Sequence, residues 1–275
     1  MTDPSGHALA VMNLPAAPVC SFRRDSLAVH ILRGQDELAS YMVGAVRQTL
    51  VEAIKQRGSA AAILATGNSQ VRFLTLLAAS GGIDWSKVTL FHMDEYLGVA
   101  ADHPACFRRY MKEKVESVVR PKVFHYLGGD ADQPLDECAR YTALLKAQPI
   151  DLCCMGIGEN GHLAFNDPHV CRFDDPHWVK LVSLDQACRM QQVKEGHFPE
   201  LTAVPPYAYT LTPPALLSAL RVLCLAPEMR KAAPVQAALE GPITEKCPAS
   251  VLRRYPQAEL LLDFDSASRL KPPAR

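Results

Sequence analysis

Three short stretches of the chain concentrate residues able to move protons or hold an anion. The first, Met155-Gly-Ile-Gly-Glu-Asn-Gly-His-Leu-Ala-Phe-Asn-Asp-Pro168, sets His162 among Glu159, Asn160 and Asp167. An imidazole titrates near neutrality, and either neighbouring carboxylate could orient its ring. The second, Phe91-His-Met-Asp-Glu-Tyr-Leu-Gly98, places Asp94 and Glu95 side by side among apolar residues. Partial desolvation raises a carboxyl pKa toward the range of a general base. The third, Ala65-Thr-Gly-Asn-Ser-Gln70, puts Thr66, Gly67, Asn68 and Ser69 between an apolar run and a helical pattern. Free backbone N–H groups at such a helix start favour an anion, phosphate included. Taken singly, each stretch has a plainer reading: a structural histidine, a capping Asp beside a solvated Glu, and a turn capped by Asn68 or Ser69. Their placement after successive strands favours reading them together.

Other chemistries fit less well. Gly156, Gly158 and Gly161 match the G-x-G-x-x-G dinucleotide fingerprint, but the motif lies past the middle of the chain. Pro168 also follows where the helix of that fingerprint should still be running. The glycines are read instead as a sharp turn beside a reactive histidine. The Thr66–Ser69 loop lacks the Lys-Ser/Thr of a nucleoside triphosphate loop. His92-x-Asp94, His169-x-Cys171 and His177 show no zinc spacing, so no metal is expected.

The elements that must carry these loops can be read from periodicity. Apolar residues between Asp36 and Lys55 recur at three and four, predicting an amphipathic helix. Ala60–Thr66, Val88–His92 and Ile150–Met155 are short apolar strands, with helices predicted over 69–79, 104–119 and 136–147. Further strands are expected near 27–31, at 207–211, 221–226 and 260–264, and helices at 215–220 and 232–239. This alternation predicts an α/β fold: a single doubly wound, Rossmann-like, mainly parallel sheet with helices on both faces. Ligands in such folds bind beyond the carboxyl ends of the strands, where the three stretches fall. Residues 1–25, with Pro4, Pro15 and Pro18, read as an irregular lead-in to one domain over 26–275. The proline-bearing stretch 170–205 reads as a mobile flap.

Composition sets the partners. Twenty-nine basic against twenty-nine acidic residues give zero formal charge, leaving no global field for nucleic acid or an anionic membrane. No uninterrupted apolar span reaches membrane length, and the N-terminus lacks the basic-then-apolar pattern of an export signal. Nine cysteines without a C-x-x-C predict a reduced, cytoplasmic protein, with Cys153 and Cys154 as core residues.

The ordered motifs Thr66-Gly67, Met93-Asp-Glu-Tyr-x-Gly98 and Gly156-x-Gly-x-Asn-Gly-His-x-x-Phe-Asn-Asp-Pro168 resemble the glucosamine-6-phosphate deaminase (isomerase) family. Pro205-x-Tyr-Ala-x-Thr-Leu211, Arg230-Lys-Ala232 and Ala237-Ala-x-Glu-Gly241 extend the likeness over roughly 27–264. The resemblance implies that Asp94 is the base that takes the C2 proton, with Glu95 its motif neighbour. It implies that His162 assists ring opening, flanked by Asn160 and Asp167, where the family usually has glutamate at the latter position. Thr66, Gly67, Asn68, Ser69 and Lys231 fall on the phosphate site, and Lys194 near an arginine of the flap. The implied reaction needs no cofactor and takes a small sugar phosphate; oligomeric state, including a homo-oligomer, stays open.

Two rivals share the fold. A 6-phosphogluconolactonase would be expected to follow its histidine with Thr/Ser-Ala-Ser-Leu-Phe-Pro and to carry Asp-Glu-Arg, where this chain has Leu163-Ala-Phe-Asn and Asp94-Glu-Tyr. A non-catalytic sugar-phosphate sensor fused to a helix-turn-helix would need more than the roughly 25 residues before the first strand.

Overall fold

The computed structural model describes residues 16–271; the first fifteen residues of the expected lead-in lie outside the described residues. The described part opens on a hairpin, β1 (Cys20–Arg24) and β2 (Leu27–Leu32), followed by helix α1 (Gln35–Arg57). β3 (Ala60–Leu64), α2 (Val71–Ala79), β4 (Val88–His92) and the three-residue β5 (Asp94–Tyr96) come next. Helical residues 107–119 then form α3 (Phe107–Met111), a π-helical turn over Lys112–Glu116, and α4 (Ser117–Val119). The chain continues through β6 (Val123–His125), α5 (Pro134–Lys146), β7 (Leu152–Gly156), β8 (Val179–Ser183), α6 (Gln186–Lys194) and β9 (Tyr207–Leu211). It ends with α7 (Pro213–Leu216), β10 (Arg221–Ala226), α8 (Ala232–Glu240), β11 (Ala258–Asp263) and α9 (Phe264–Ala267).

Eight strands form one twisted sheet in the order β1-β2-β11-β10-β7-β3-β4-β6, parallel except for the β1–β2 edge pair. Both faces are buried, which is why β3 and β7 at the centre carry no polar side chain. Ile63, Cys153 and Met155 point to a core shared with Tyr141 of α5 and Val235 of α8. Ala62, Leu64, Leu152 and Cys154 point to the opposite core, with Met42 and Val46 of α1 and Phe73 of α2. Cys153 and Cys154 are wholly buried, as expected of core residues.

Three features depart from the expected single sheet and irregular lead-in. β1 forms within the segment expected to be irregular, because an edge strand needs only a half-buried Cys20 and Phe22 to pair with β2. The strand at 207–211 leaves the main sheet for a second, antiparallel one, β5-β9-β8. β5 is only Asp-Glu-Tyr and β8 lies inside the proline-rich stretch, so neither has the apolar run that marks a strand. The 170–205 stretch is also well furnished, with β8, α6 and an apolar cluster in which Val182, Leu184, Cys188 and Phe198 pack near Tyr96 and Phe165. The larger of these side chains each contribute about 1.5–3 kcal/mol by burial.

Candidate active site

The strand order reverses direction between β3 and β7: successive strands after β3 run outward through β4 to β6, and the chain then returns to β7 and builds outward through β10. Loops leaving two strands on opposite sides of such a switch point diverge and leave a crevice at their carboxyl ends. The cavity here is lined from four adjacent strands: Thr66–Ser69 after β3, Met93 and Asp94 after β4, Gly156, Ile157, Gly158 and His162 at and after the end of β7, and Lys231 after β10. Three expected stretches therefore meet, joined by the expected lysine.

The Thr66–Ser69 loop turns at Gly67, whose φ of 102° is a conformation that side chains resist. Neither Asn68 nor Ser69 caps the helix that follows. Asn68 Nδ2 instead donates to the Glu195 carbonyl at 3.4 Å, and Ser69 Oγ accepts from Gln70 Nε2 at 3.3 Å. The plain capped-turn reading thus has no cap behind it. Across the cavity Lys231 is only 2% exposed and makes no ion pair among the described residues. Burial, and then the adjacent Arg230, push its ammonium down to about 8. Glu195, Glu159 and Glu228 offset this only in part, and a buried lysine that no carboxylate contacts is poised to take an anion.

Asp94 stands where the chain passes from β4 into β5, 7% exposed, with Oδ1 lacking a hydrogen-bond partner among the described residues. Burial, helped by repulsion from Glu95, pushes its carboxyl up to about 8. Such an acid is a strong proton acceptor once ionised. Glu95 has a different role. Its carboxylate turns from the cavity and accepts from the backbone N–H groups of Tyr96 at 3.0 Å, Phe107 at 3.2 Å and Arg108 at 2.7 Å. It anchors the start of α3, which corrects its place among the acid-base residues: alternation along β5 sends neighbouring side chains to opposite faces.

His162 faces the cavity from the β7 loop, and Gly158 makes room for it: a Cβ at residue 158 would fall 2.2 Å from the imidazole. Nδ1 lies 3.1 Å from Asp167 Oδ1 but out of line for a hydrogen bond, so a small rotation of the ring would complete one. Asp167 is fully buried; burial raises its carboxyl, but His162, Asn160 and the Asp185 N–H together hold it below its usual value. Asn160 Nδ2 reaches both Asp167 and Asp185 at 2.9 Å, while its Oδ1 accepts from the His162 N–H at 3.0 Å. Of the two carboxylates that could orient His162, it is therefore Asp167. Glu159 instead lies 3.6 Å from Arg230. The shorter Asp167 is accommodated because Asn160 braces it from the side.

Sequence reasoning missed several residues. Lys194 is exposed and outside the cavity lining, whereas the next residue, Glu195, lines it and pairs with Arg230. A helical step of one residue turns a side chain by about 100°, so a loosely aligned flap puts the wrong one inward. Asp185 caps α6 through Cys188 N at 2.6 Å and accepts from Asn160; its Asp-before-helix position signals a cap, but nothing local signals the contact. Gln191, Gln192, Phe107 and Phe165 complete the walls. The described residues that could hold a metal ion are His162, Asp167 and Cys188, or Asp167, His169 and Asp185. Both sets share Asp167, whose oxygens already accept from Asn160 and from the Asp185 backbone.

A family model for glucosamine-6-phosphate isomerases/6-phosphogluconolactonase matches residues 33–261. A glucosamine-6-phosphate deaminase of Listeria innocua is 33% identical over 207 residues, covering 75% of this chain and 86% of the relative. One from an Exiguobacterium species is 34% identical over 206 residues, 75% and 79% of the two chains. Among solved structures, a monomeric glucosamine-6-phosphate deaminase superposes with a TM-score of 0.80 at 28% identity, covering 87% of this chain and 98% of that one. A 6-phosphogluconolactonase of Shewanella baltica gives 0.73 at 18% identity over 88% and 100%, a likeness of fold alone.

Proposed function

The chain belongs to the glucosamine-6-phosphate isomerase/6-phosphogluconolactonase family, and on that premise we propose that it converts glucosamine 6-phosphate to fructose 6-phosphate and ammonia. The observation that carries this reading is the pairing of Asp94 and His162 in one cavity with the unpaired, buried Lys231. Lys231 and the Thr66–Ser69 loop bind the phosphate remote from the reacting carbons and so orient them. His162 relays the proton between the ring oxygen and O1 as the pyranose opens, held by Asp167. Asp94 takes the proton from C2 of the open amino-aldose and delivers it to C1, giving the ketose imine. Water then adds to C2 and ammonia leaves. The carboxylate and the imidazole each contribute on the order of 10²–10⁴ in rate. Lactone hydrolysis has no step that needs a carbon-directed base, whereas the buried Asp94 suits one.

Purified protein supplied with glucosamine 6-phosphate is expected to release ammonia and ketose phosphate, and to leave 6-phosphogluconolactone untouched. Asp94→Asn is expected to lose roughly a thousandfold or more in kcat, the scale that proton transfer by a positioned base supplies, while still binding sugar phosphate. Near-normal turnover in that variant would sink the assignment, and lactonase turnover without ammonia would move it to the rival branch.

A further inference from the structure

The cavity bounded by these loops measures about 80 Å³, against roughly 300–1,000 Å³ for small-molecule sites in general. The space is tight for a sugar phosphate, and movement of one wall would widen it. The first turn of α6 is fixed by the Asp185 cap and the buried Cys188. Its last turn meets the cavity through polar contacts: Gln191 Oε1 accepts from Glu159 N at 3.1 Å, Gln192 Oε1 from Tyr96 Oη at 2.8 Å, and Glu195 pairs with Arg230.

Charge at this end of the cavity is unevenly placed. Arg230 is surrounded by three carboxylates, Glu195, Glu159 at 3.6 Å and Glu228 at 2.6 Å, while the adjacent Lys231 makes no ion pair among the described residues and feels the same three only at longer range. Two cations facing three carboxylates leave the surroundings net negative, unfavourable for a phosphate dianion. Glu195 is the carboxylate that lines the cavity and also sits on the movable turn. Against the upward push of burial, His197, Arg230 and Gln191 hold its carboxyl down to about 2, so it stays ionised. Withdrawing Glu195 would both remove a repelling charge and release a guanidinium, whose planar fork matches phosphate.

Resting on the sugar-phosphate reading of the cavity, we propose that Arg230 is a second phosphate-binding cation and that Glu195 reserves it. As the last turn of α6 lifts, Glu195 surrenders the guanidinium, which turns to the substrate phosphate beside Lys231. Glu195 is then a placeholder anion: one carboxylate leaves as one phosphate arrives.

The test is calorimetric titration of the full chain with inorganic phosphate at constant ionic strength. Glu195→Gln is expected to bind phosphate about tenfold more tightly and Arg230→Gln about tenfold more weakly, the scale of one charge-assisted hydrogen bond. In the double variant the gain from Glu195→Gln should shrink to the smaller part that comes from removing one repelling charge, because there is no guanidinium left to release. Amide exchange over residues 191–195 should quicken in Glu195→Gln. Unchanged affinity in either single variant overturns the proposal. So does tightening that persists undiminished in the Arg230→Gln background, since Glu195 would then act by repulsion alone. Phosphate affinities as expected with no ammonia from glucosamine 6-phosphate would instead sink the deaminase reading and leave Arg230 a phosphate ligand.

Discussion

Burial drives Asp94 and Lys231 in opposite directions, and the two meet: the carboxyl rises to about 8 and the ammonium falls to about 8. The signs matter for catalysis. Below pH 8 Asp94 is largely protonated and cannot accept from C2; above pH 8 Lys231 is largely neutral and holds phosphate less well. The profile of kcat/KM, which reports the free enzyme, should therefore be a narrow bell centred near pH ~8, falling about tenfold per pH unit well beyond either side. Measuring it between about pH 6 and 10 checks this; a plateau from about 6 to 8 would mean that the Asp94 carboxyl ionises below that range, and loss of the acid limb in folded Asp94→Asn would assign that limb to Asp94. At this scale the sequence singled out Asp94, His162 and Lys231, residue types with few uses, and the three line one cavity. It misled at Glu95, whose carboxylate is spent on backbone N–H groups twelve and thirteen residues onward in the chain. No local pattern announces such a contact.

Among the elements, the link from β5 to α3, residues 97–106, depends on that same glutamate. Burial raises the Glu95 carboxyl, and the N–H groups of Arg108, Phe107 and Tyr96 oppose the shift. Glu95→Ala strips acceptors from the start of α3 and leaves buried donors unsatisfied, at a cost of about 2–3 kcal/mol. A melting temperature lowered by roughly 5–10 °C is expected, with kcat within a few-fold of the parent where the protein is folded. A loss of kcat like that of Asp94→Asn, in folded protein, would return Glu95 to the chemistry. Helices were legible because their apolar periodicity is long, α1 repeating its pattern through 23 residues, and the central strands because they are unbroken apolar runs. β5 and β8 were not, since three or five residues with two carboxylates or a half-exposed face carry no period. They exist through pairing with β9, a partner distant in sequence from β5.

For the molecule as a whole, alternation of strands and helices established a parallel sheet but not the order of its strands. That order, β10-β7-β3-β4 in the middle, is what gathers four loops at one edge; each crossover alone leaves the next strand free to pair on either side. The second sheet begins at this edge, and Asp94, 7% exposed, sits at the passage between the two with Gln191, Gln192, Phe107 and Phe165 walling the cavity beside it. Enclosure of that kind bears on the fate of individual hydrogen atoms. A proton lifted from C2 onto a carboxyl shielded from bulk solvent has little opportunity to exchange before it is handed on. Substrate deuterated at C2 should therefore yield ketose carrying most of that label at C1, and unlabelled substrate turned over in heavy water should gain well under one deuterium there. Mass spectrometry of the product distinguishes this internal transfer from complete washout, which would mean that water reaches Asp94 between the two steps.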